Sequence, residues 1–301
     1  MAQTPLKVHE LVKRFDGLTA VAGISFEARA GEVFGFLGPN GAGKTTTIRM
    51  IMGIIRPDAG RIEFFFDGKS GPLDKGRIGY LPEERGLYED AKVIDVLVYF
   101  AELKGVPPKE ARRRALAWLE RLDLGEWAHR KIEKLSKGMQ QKVQLVAAIL
   151  HEPDLVVLDE PFAGLDPVNQ DLFKELIRGL RDAGAAVLLS SHQMNLVEEL
   201  CDRIFLIHKG RQVLYGCLSE IKAAHGGHRV ELRFRGDGSL LQGNGLVKDL
   251  ELADGRARFT LPQGVEPERF LRDLPEGLGV EEITVRRPSL HEIFVGVVKG
   301  G

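Results

Sequence analysis

The feature that most constrains the fold of this chain is a glycine-rich loop between two apolar segments. The apolar run 33–37 predicts a buried strand, and residues 46–52 predict a helix. Between them the chain reads Gly38-Pro39-Asn40-Gly41-Ala42-Gly43-Lys44-Thr45-Thr46. The spacing G-x-x-x-x-G-K-[ST] between a strand and a helix is typical of a phosphate-binding loop.

Each part of this loop has a chemical reason to be there. Glycines allow the backbone to bend so that its N–H groups face an anion, and the following helix adds unpaired donors. Lys44 would place a cation on the β- and γ-phosphates of a nucleotide, and the Thr45 hydroxyl would bind Mg²⁺. The alternative, a glycine turn with an unrelated lysine, is disfavoured by the flanking strand and helix. Residues 38–46 are therefore predicted to bind nucleotide.

Composition limits the class of protein. The 301 residues are 44% hydrophobic and 28% charged, which is ordinary for a globular chain. A net charge of −1 implies no general attraction to polyanions, so no nucleic-acid partner is expected. The sequence has neither an apolar run of about 18 residues nor the apolar core of a signal peptide. Cys201 and Cys217 are expected to be reduced thiols in the cytosol.

The pattern of elements predicts an α/β fold. Two strands in residues 6–28 come first, and strands then alternate with helices, which indicates a mostly parallel sheet covered on both faces. Residues 90–150 have helical spacing only and are interpreted as an inserted helical subdomain. We expect this first domain to span residues 1–222.

A second, smaller domain is predicted after a short linker. His225-Gly226-Gly227-His228 is interpreted as that linker, because no third ligand accompanies the two histidines to suggest a metal site. Residues 228–301 alternate strand and helix signals, so we expect a small α+β domain. Ser289 and Glu292 match a capping box at the start of its last helix.

Two consecutive acids supply the metal-binding carboxylate and the water-positioning group that nucleotide hydrolysis requires besides the phosphate loop. The apolar strand 155–158 ends in Asp159-Glu160, and the ends of parallel strands share the sheet edge at which the loop opens. We expect Asp159 to hold Mg²⁺, and Glu160 to polarise an attacking water as a general base. The alternative is an ordinary acidic surface loop.

For three further residues, the sequence pattern allows both a nucleotide contact and an ordinary structural role. Ser136 begins a helix and would either grip a phosphate or simply cap that helix, and the cap is favoured. His192 follows a strand and would hydrogen-bond either a γ-phosphate or the attacking water, or it would be an ordinary surface histidine, and the surface histidine is favoured. Phe15 would stack on a purine or pack in the core, and core packing is favoured.

The order and spacing of these motifs resemble the nucleotide-binding subunit of ABC transporters over residues 6–220. The phosphate loop resembles Walker A, residues 155–160 resemble Walker B, and residues 163–166 resemble the D-loop. The resemblance implies that Phe15 stacks on adenine, that His192 is the switch histidine, and that Ser136, Gly138 and Asp166 contact nucleotide. The reading of Phe15 as core is thereby reversed, and the implied cofactors are ATP and Mg²⁺.

The sequence departs from the family pattern at two places. The usual signature LSGGQ reads Leu135-Ser136-Lys137-Gly138-Met139, which adds a charge and loses an amide. The glutamine that the family uses as a Mg²⁺ ligand corresponds to Glu83, whose carboxylate can also bind Mg²⁺ but adds negative charge near the phosphates.

The resemblance also implies partners and location. It implies a head-to-tail dimer with itself or a homologous ATPase, with two ATP molecules between the subunits, and a separate membrane permease. The overall pattern, including residues 79–83 and the C-terminal stretch 288–294, is similar to that of exporter-type sodium- and drug-efflux ATPases. The expected location is the cytoplasmic face of the cell membrane. Alternatives are a soluble ABC-type ATPase acting on ribosomes or DNA, and an ATP-sensing module with weak hydrolysis.

Overall fold

A computed structural model describes residues 3–84, 86–225, 227–242, 245–262, 264–275 and 277–300, without the side chains of residues 299 and 300. Arg85 and Gly226, the latter in the predicted linker, lie outside the described residues. The chain forms two compact units, residues 1–216 and 217–301. Strands and helices are numbered in chain order below.

The first unit begins with an antiparallel sheet. Its strands are β1 (Leu6–Phe15), β2 (Leu18–Ala28), β4 (Ala59–Phe66) and β5 (Lys69–Gly71), in the order β2-β1-β4-β5. Apolar residues alternate along β1 and β2, so one face of this sheet is buried.

The central sheet of the first unit carries the phosphate loop. Its spatial order is β10-β9-β3-β8-β7-β6. The strands are β3 (Val33–Leu37), β6 (Ile78–Leu81), β7 (Leu155–Asp159), β8 (Ala186–Ser191), β9 (Arg203–His208) and β10 (Arg211–Cys217). The pairs β3–β8, β3–β9, β6–β7 and β7–β8 are parallel, so their carboxyl ends lie at one edge. This confirms the predicted α/β fold with its antiparallel first part.

Six α-helices are described in the first unit. They are α1 (Lys44–Ile51), α2 (Val93–Glu102), α3 (Pro108–Arg121), α4 (Lys137–Ile149), α5 (Pro167–Asp182) and α6 (Met194–Leu200). Helices α2, α3 and α4 follow one another between β6 and β7 and contact each other. Among the described residues, no helix is long and apolar enough to cross a membrane.

The core of the first unit lies between the two sheets and α1. The β2 residue Phe26 packs against Phe34 and Phe36 of β3 and Phe205 of β9, with ring centroids 5.2–5.4 Å apart. All four rings are buried, and Ile48 of α1 belongs to the same cluster. Aromatic packing of this kind fixes β3, and with it the loop that follows.

The second unit combines an antiparallel sheet with three described α-helices and has its own core. The strands β11 (Arg229–Arg235), β12 (Lys248–Ala253), β13 (Arg256–Thr260) and β14 (Gly279–Arg286) lie in the order β12-β13-β11-β14. The helices are α7 (Leu218–Ala224), α8 (Pro267–Arg272) and α9 (Leu290–Gly300). Its core includes Val230, Leu232, Phe259 and Phe270.

The division between the units differs from the predicted boundary. The sequence placed it between residues 222 and 228, whereas the structure divides at residue 216 and groups α7 with the second unit. Glycine and histidine at 225–228 mark the end of α7, which is a local signal. The point at which packing changes is a property of the whole chain.

The predicted capping box at α9 is confirmed. The Glu292 amide donates to the Ser289 hydroxyl at 3.2 Å, and Glu292 Oε2 accepts from the Ser289 amide at 2.7 Å. The Arg286 guanidinium also donates to Glu292 and lowers the pKa of that carboxyl to about 2.

We predict a pH-dependent effect of Glu292→Gln. The amide can keep the capping bond but loses the ion pair with Arg286, so α9 should be less stable at pH 7 by about 0.5–1 kcal/mol. Stability from ionised Glu292 is present above about pH 4.3, the unfolded value, and is lost as the pH falls toward 2. Hydrogen-exchange protection of α9 in the full chain, at pH 7 and pH 3, measures this.

The matched control is Glu268→Gln, which changes an exposed glutamate of α8. It should leave α9 protection unchanged at both pH values. A deficit in Glu292→Gln that is equally large at pH 7 and pH 3 would contradict the assignment of the effect to the Arg286 ion pair.

Candidate functional site

A cavity of about 710 Å³ opens at the carboxyl edge of the central sheet. Its volume is in the range of small-molecule sites. Lys44, Thr45 and Glu160 lie in its wall, together with Glu83. The other lining residues are Phe15, Leu18, Thr19, Ala20, Pro39, Asn40, Gly41, Gly43, Thr46, Lys209 and Gly210.

The phosphate loop is held against neighbouring strands at two glycines. A Cβ at Gly38 would lie 2.3 Å from the Ile207 carbonyl oxygen, and a Cβ at Gly43 would lie 2.5 Å from the Ala20 carbonyl oxygen. Gly43 also has φ +110°, which L side chains rarely adopt. Glycine is therefore required at both positions by the close approach. Ala42 is buried, and neither it nor Gly38 is among the described lining residues.

Lys44 is a buried cation at the start of α1, with only 6% of the residue exposed. Its ammonium donates to the Gly38 carbonyl at 2.8 Å and to the Pro39 carbonyl at 3.4 Å. It also lies 3.2 Å from Glu160 Oε1 as an ion pair. The loop thus wraps around its own lysine, and Glu160 supplies the balancing charge.

The two acids at the end of β7 have side chains that face different partners. Asp159 is the last residue of β7 and is 1% exposed, and Glu160 has φ +49°. The left-handed turn at Glu160 brings its carboxylate to Lys44 and to His192, whose Nδ1 lies 2.9 Å from Glu160 Oε2. Glu160 and His192, which were singled out separately in the sequence, are therefore in contact.

Asp159 sits where a divalent cation would find an oxygen ligand. Burial raises the pKa of its carboxyl, which Glu83 and Glu160 raise further, while hydrogen bonds from Ser190 and Thr45 lower it. Oδ2 of Asp159 is buried and has no hydrogen-bond partner among the described residues. An orphaned buried carboxylate oxygen beside a hydroxyl fits a hard cation such as Mg²⁺, which uses few protein ligands and keeps phosphate and water oxygens.

Phe15 is not a core residue. It is 44% exposed and lines the cavity, so the first preference for core packing is wrong. The Lys13 ammonium lies 5.3 Å from the ring centroid and pairs with Asp58 at 2.9 Å. A cation on the ring and a salt bridge behind it hold Phe15 at the cavity rim.

Three predicted nucleotide contacts lie elsewhere in the first unit. Ser136 caps α4 by accepting from the Met139 amide at 3.3 Å, and Asp166 caps α5 by accepting from the Asn169 amide at 3.0 Å. A Cβ at Gly138 would lie 3.5 Å from Asn169 Nδ2, so the starts of α4 and α5 are neighbours. Ser136, Gly138 and Asp166 are not among the described residues that line the cavity.

Sequence reasoning missed several parts of the wall. Leu18, Thr19 and Ala20 come from the start of β2, and Lys209 and Gly210 from the turn before β10. These residues carry no motif, and only the packing of the antiparallel sheet against β9 brings them to the loop. Ser190 was not singled out from the sequence, yet its hydroxyl donates to Asp159.

Comparison with known proteins gives consistent results. A family model described as ABC transporter matches residues 21–163, and one described as ATP-binding protein DrrA1-3-like, C-terminal domain, matches residues 216–298.

The similarity to individual known proteins extends over most of the chain. An uncharacterized ABC transporter ATP-binding protein, YhaQ of Bacillus subtilis, is 41% identical and covers 96% of this chain and 97% of its own. A Nod factor export ATP-binding protein I of Burkholderia pseudomallei is 39% identical over 72% of each chain. The solved structure of cbiO1 from Clostridium perfringens, part of the ABC transporter complex cbiONQ, has a TM-score of 0.64 at 29% identity, covering 74% of this chain and 92% of that one.

Proposed function

This chain belongs to the ABC transporter ATP-binding proteins, and we propose that it hydrolyses ATP to drive export through a separate membrane permease. Proteins of this family hydrolyse ATP to power transport. The observation that carries the proposal is the ion pair of the buried residues Lys44 and Glu160 in the cavity wall, with the exposed His192 against the same carboxylate.

We assign the cavity to ATP. Its wall contains the loop residues 39–41 and 43–46, whose N–H groups and lysine suit phosphates, and Phe15 at the rim suits the adenine. Thr45, Asp159 and Glu83 would hold Mg²⁺, which neutralises phosphate charge when bound. Glu83 in place of a neutral amide gives this site one carboxylate more than the family pattern.

Glu160 is proposed as the general base. Its Oε1 lies against Lys44 and its Oε2 lies against His192, so the carboxylate is held at the cavity wall. When Lys44 turns to the phosphates, Glu160 is released to accept a proton from water, and His192 keeps it oriented.

A second copy, or a homologous ATPase, is proposed to complete the site. Ser136, Gly138 and Asp166 form a cluster at the starts of α4 and α5, away from the described lining of the cavity. A head-to-tail pair would place this cluster of one subunit over the cavity of the other. Each of two ATP molecules would then touch both chains.

The permease is proposed to dock between Glu83 and the helical subdomain. An open groove of about 330 Å³ there is lined by Met52, Tyr80, Leu87, Phe100 and Ala147, among others. Tyr88 beside it is 56% exposed and stacks on Phe100, with ring centroids 6.1 Å apart. An exposed aromatic cluster of this kind is typical of a protein interface. Docking there would place the chain on the inner face of the membrane.

Export is supported by two likenesses. Residues 216–298 match the DrrA-like C-terminal domain, and a relative that covers 72% of this chain is named for export of a Nod factor. The proposal extends that direction of transport to this chain.

We predict that Glu160→Gln separates binding from turnover. The amide keeps the size of the side chain but accepts no proton, so ATP hydrolysis should fall by about 10²-fold or more. ATP binding should persist, and an ATP-bound dimer should accumulate. Phosphate release and gel filtration with ATP measure the two effects.

The control is Glu175→Gln, an exposed glutamate of α5, which should hydrolyse ATP at the wild-type rate. Full turnover in Glu160→Gln would remove Glu160 from its role. Weak hydrolysis in the wild type with its permease present would favour an ATP sensor instead.

A second prediction concerns Phe15. Phe15→Ala should weaken ATP binding by about 5- to 150-fold, because one aromatic–base stack is worth about 1–3 kcal/mol. Phe15→Trp should retain affinity. Binding of inorganic triphosphate, which has no base, serves as the control and should be unchanged in both variants. Equal losses for ATP and triphosphate would show that Phe15 supports the loop and not the base.

The partner is predicted to be an integral membrane protein. The tagged full chain should co-purify from detergent-solubilised membranes with a polytopic protein. Replacing both Tyr88 and Phe100 by Ser should abolish that association while leaving ATP binding intact. Recovery with ribosomes or DNA in place of a membrane protein would favour the soluble ABC-type ATPase.

A further inference from the structure

We propose that Ser190 is a positioning residue of the ATPase site, which orients Asp159 toward the Mg²⁺ position and fixes the turn at Glu160. This inference rests on one part of the proposed function, namely that Asp159 binds Mg²⁺. It concerns a serine that lies outside the phosphate loop, two residues before the switch histidine.

Residues at the end of β8 contact each of the two acids at the end of β7. Asp159 of β7 is the register partner of Ser190 in the parallel pair β7–β8. Ser190 lies in β8, and His192 comes directly after the last residue of that strand. Ser190 contacts Asp159, and His192 contacts Glu160.

The Ser190 hydroxyl gives Asp159 a defined orientation. Ser190 has no exposed surface, and its hydroxyl donates a short hydrogen bond to Oδ1 of Asp159. Oδ2 of the same carboxylate is buried without a hydrogen-bond partner among the described residues. One oxygen is thus held by the protein, and the other is left for a cation or its water.

Ser190 also contacts the backbone of the second acid. The Glu160 amide donates to the Ser190 carbonyl at 3.2 Å and to the Ser190 hydroxyl at 3.2 Å. Glu160 has φ +49°, a conformation that non-glycine residues seldom adopt without support. The serine thereby helps to hold the turn that aims the Glu160 carboxylate at Lys44 and His192.

Ser191 is a suitable control because it is as buried as Ser190 but makes a different hydrogen bond. Its exposed fraction is 1%, and its hydroxyl accepts from the Gln193 amide at 3.0 Å. Removing that hydroxyl alters the loop after β8 but not the Asp159 hydrogen bond.

The test measures binding of a non-hydrolysable ATP analogue, AMP-PNP, to the full chain by calorimetry, with Mg²⁺ and with EDTA. Ser190→Ala should lose about tenfold or more in affinity with Mg²⁺, because a hydrogen bond to a charged group is removed. With EDTA its affinity should equal that of the wild type. Ser190→Thr, which keeps the hydroxyl, should restore the Mg²⁺ response.

Three results would overturn the proposal. Ser190→Ala with an unchanged Mg²⁺ response would show that the hydroxyl does not orient the ligand. Equal losses with Mg²⁺ and with EDTA, or a loss as large in Ser191→Ala, would show a structural role only. Equal affinity of the wild-type chain for AMP-PNP with Mg²⁺ and with EDTA would also overturn the proposal. An error in assigning Glu160 as the base would appear separately, as full turnover in Glu160→Gln.

Discussion

The buried ammonium of Lys44 is the charge on which the site depends. A cation removed from water needs close partners, and in this chain they are two carbonyls of its own loop and the Glu160 carboxylate. The carbonyls fix the shape of the loop. The carboxylate ties the start of α1 to the end of β7, and through His192 to the end of β8. Under the proposed function, nucleotide phosphates would replace Glu160 as the partner of this charge, and binding would thereby release the proposed base.

The parallel sheet makes that arrangement possible. β3 pairs with β8, and β8 pairs with β7, so three segments far apart in the sequence end at the same edge. Each strand delivers one part of the site at its carboxyl end: β3 the loop, β7 the two acids, and β8 Ser190 and the following His192. The hydrogen bond between Ser190 and Asp159 joins the last two parts inside the protein.

Much of this was predictable because its signals are local. The strand before the loop, the order of strands and helices, and the capping box at Ser289 follow from short patterns whose chemistry involves neighbouring residues. Phe15 was not predictable from its own sequence environment, since an aromatic residue in an alternating strand is ordinarily core. Residues 18–20 and 209–210 of the cavity wall carry no chemical signal, because sheet packing alone brings them to the loop.

The sequence by itself determined the chemistry of the phosphate loop and the presence of two consecutive acids, because consecutive residues suffice for both. Only the tertiary structure decided which acid faces Lys44 and which of two adjacent serines holds Asp159. Both choices depend on the register of β7 against β8 and on the left-handed turn at Glu160, and a shift of one residue would exchange them. Strand register is set by packing across the whole sheet, so the pair Ser190-Ser191 could not reveal it.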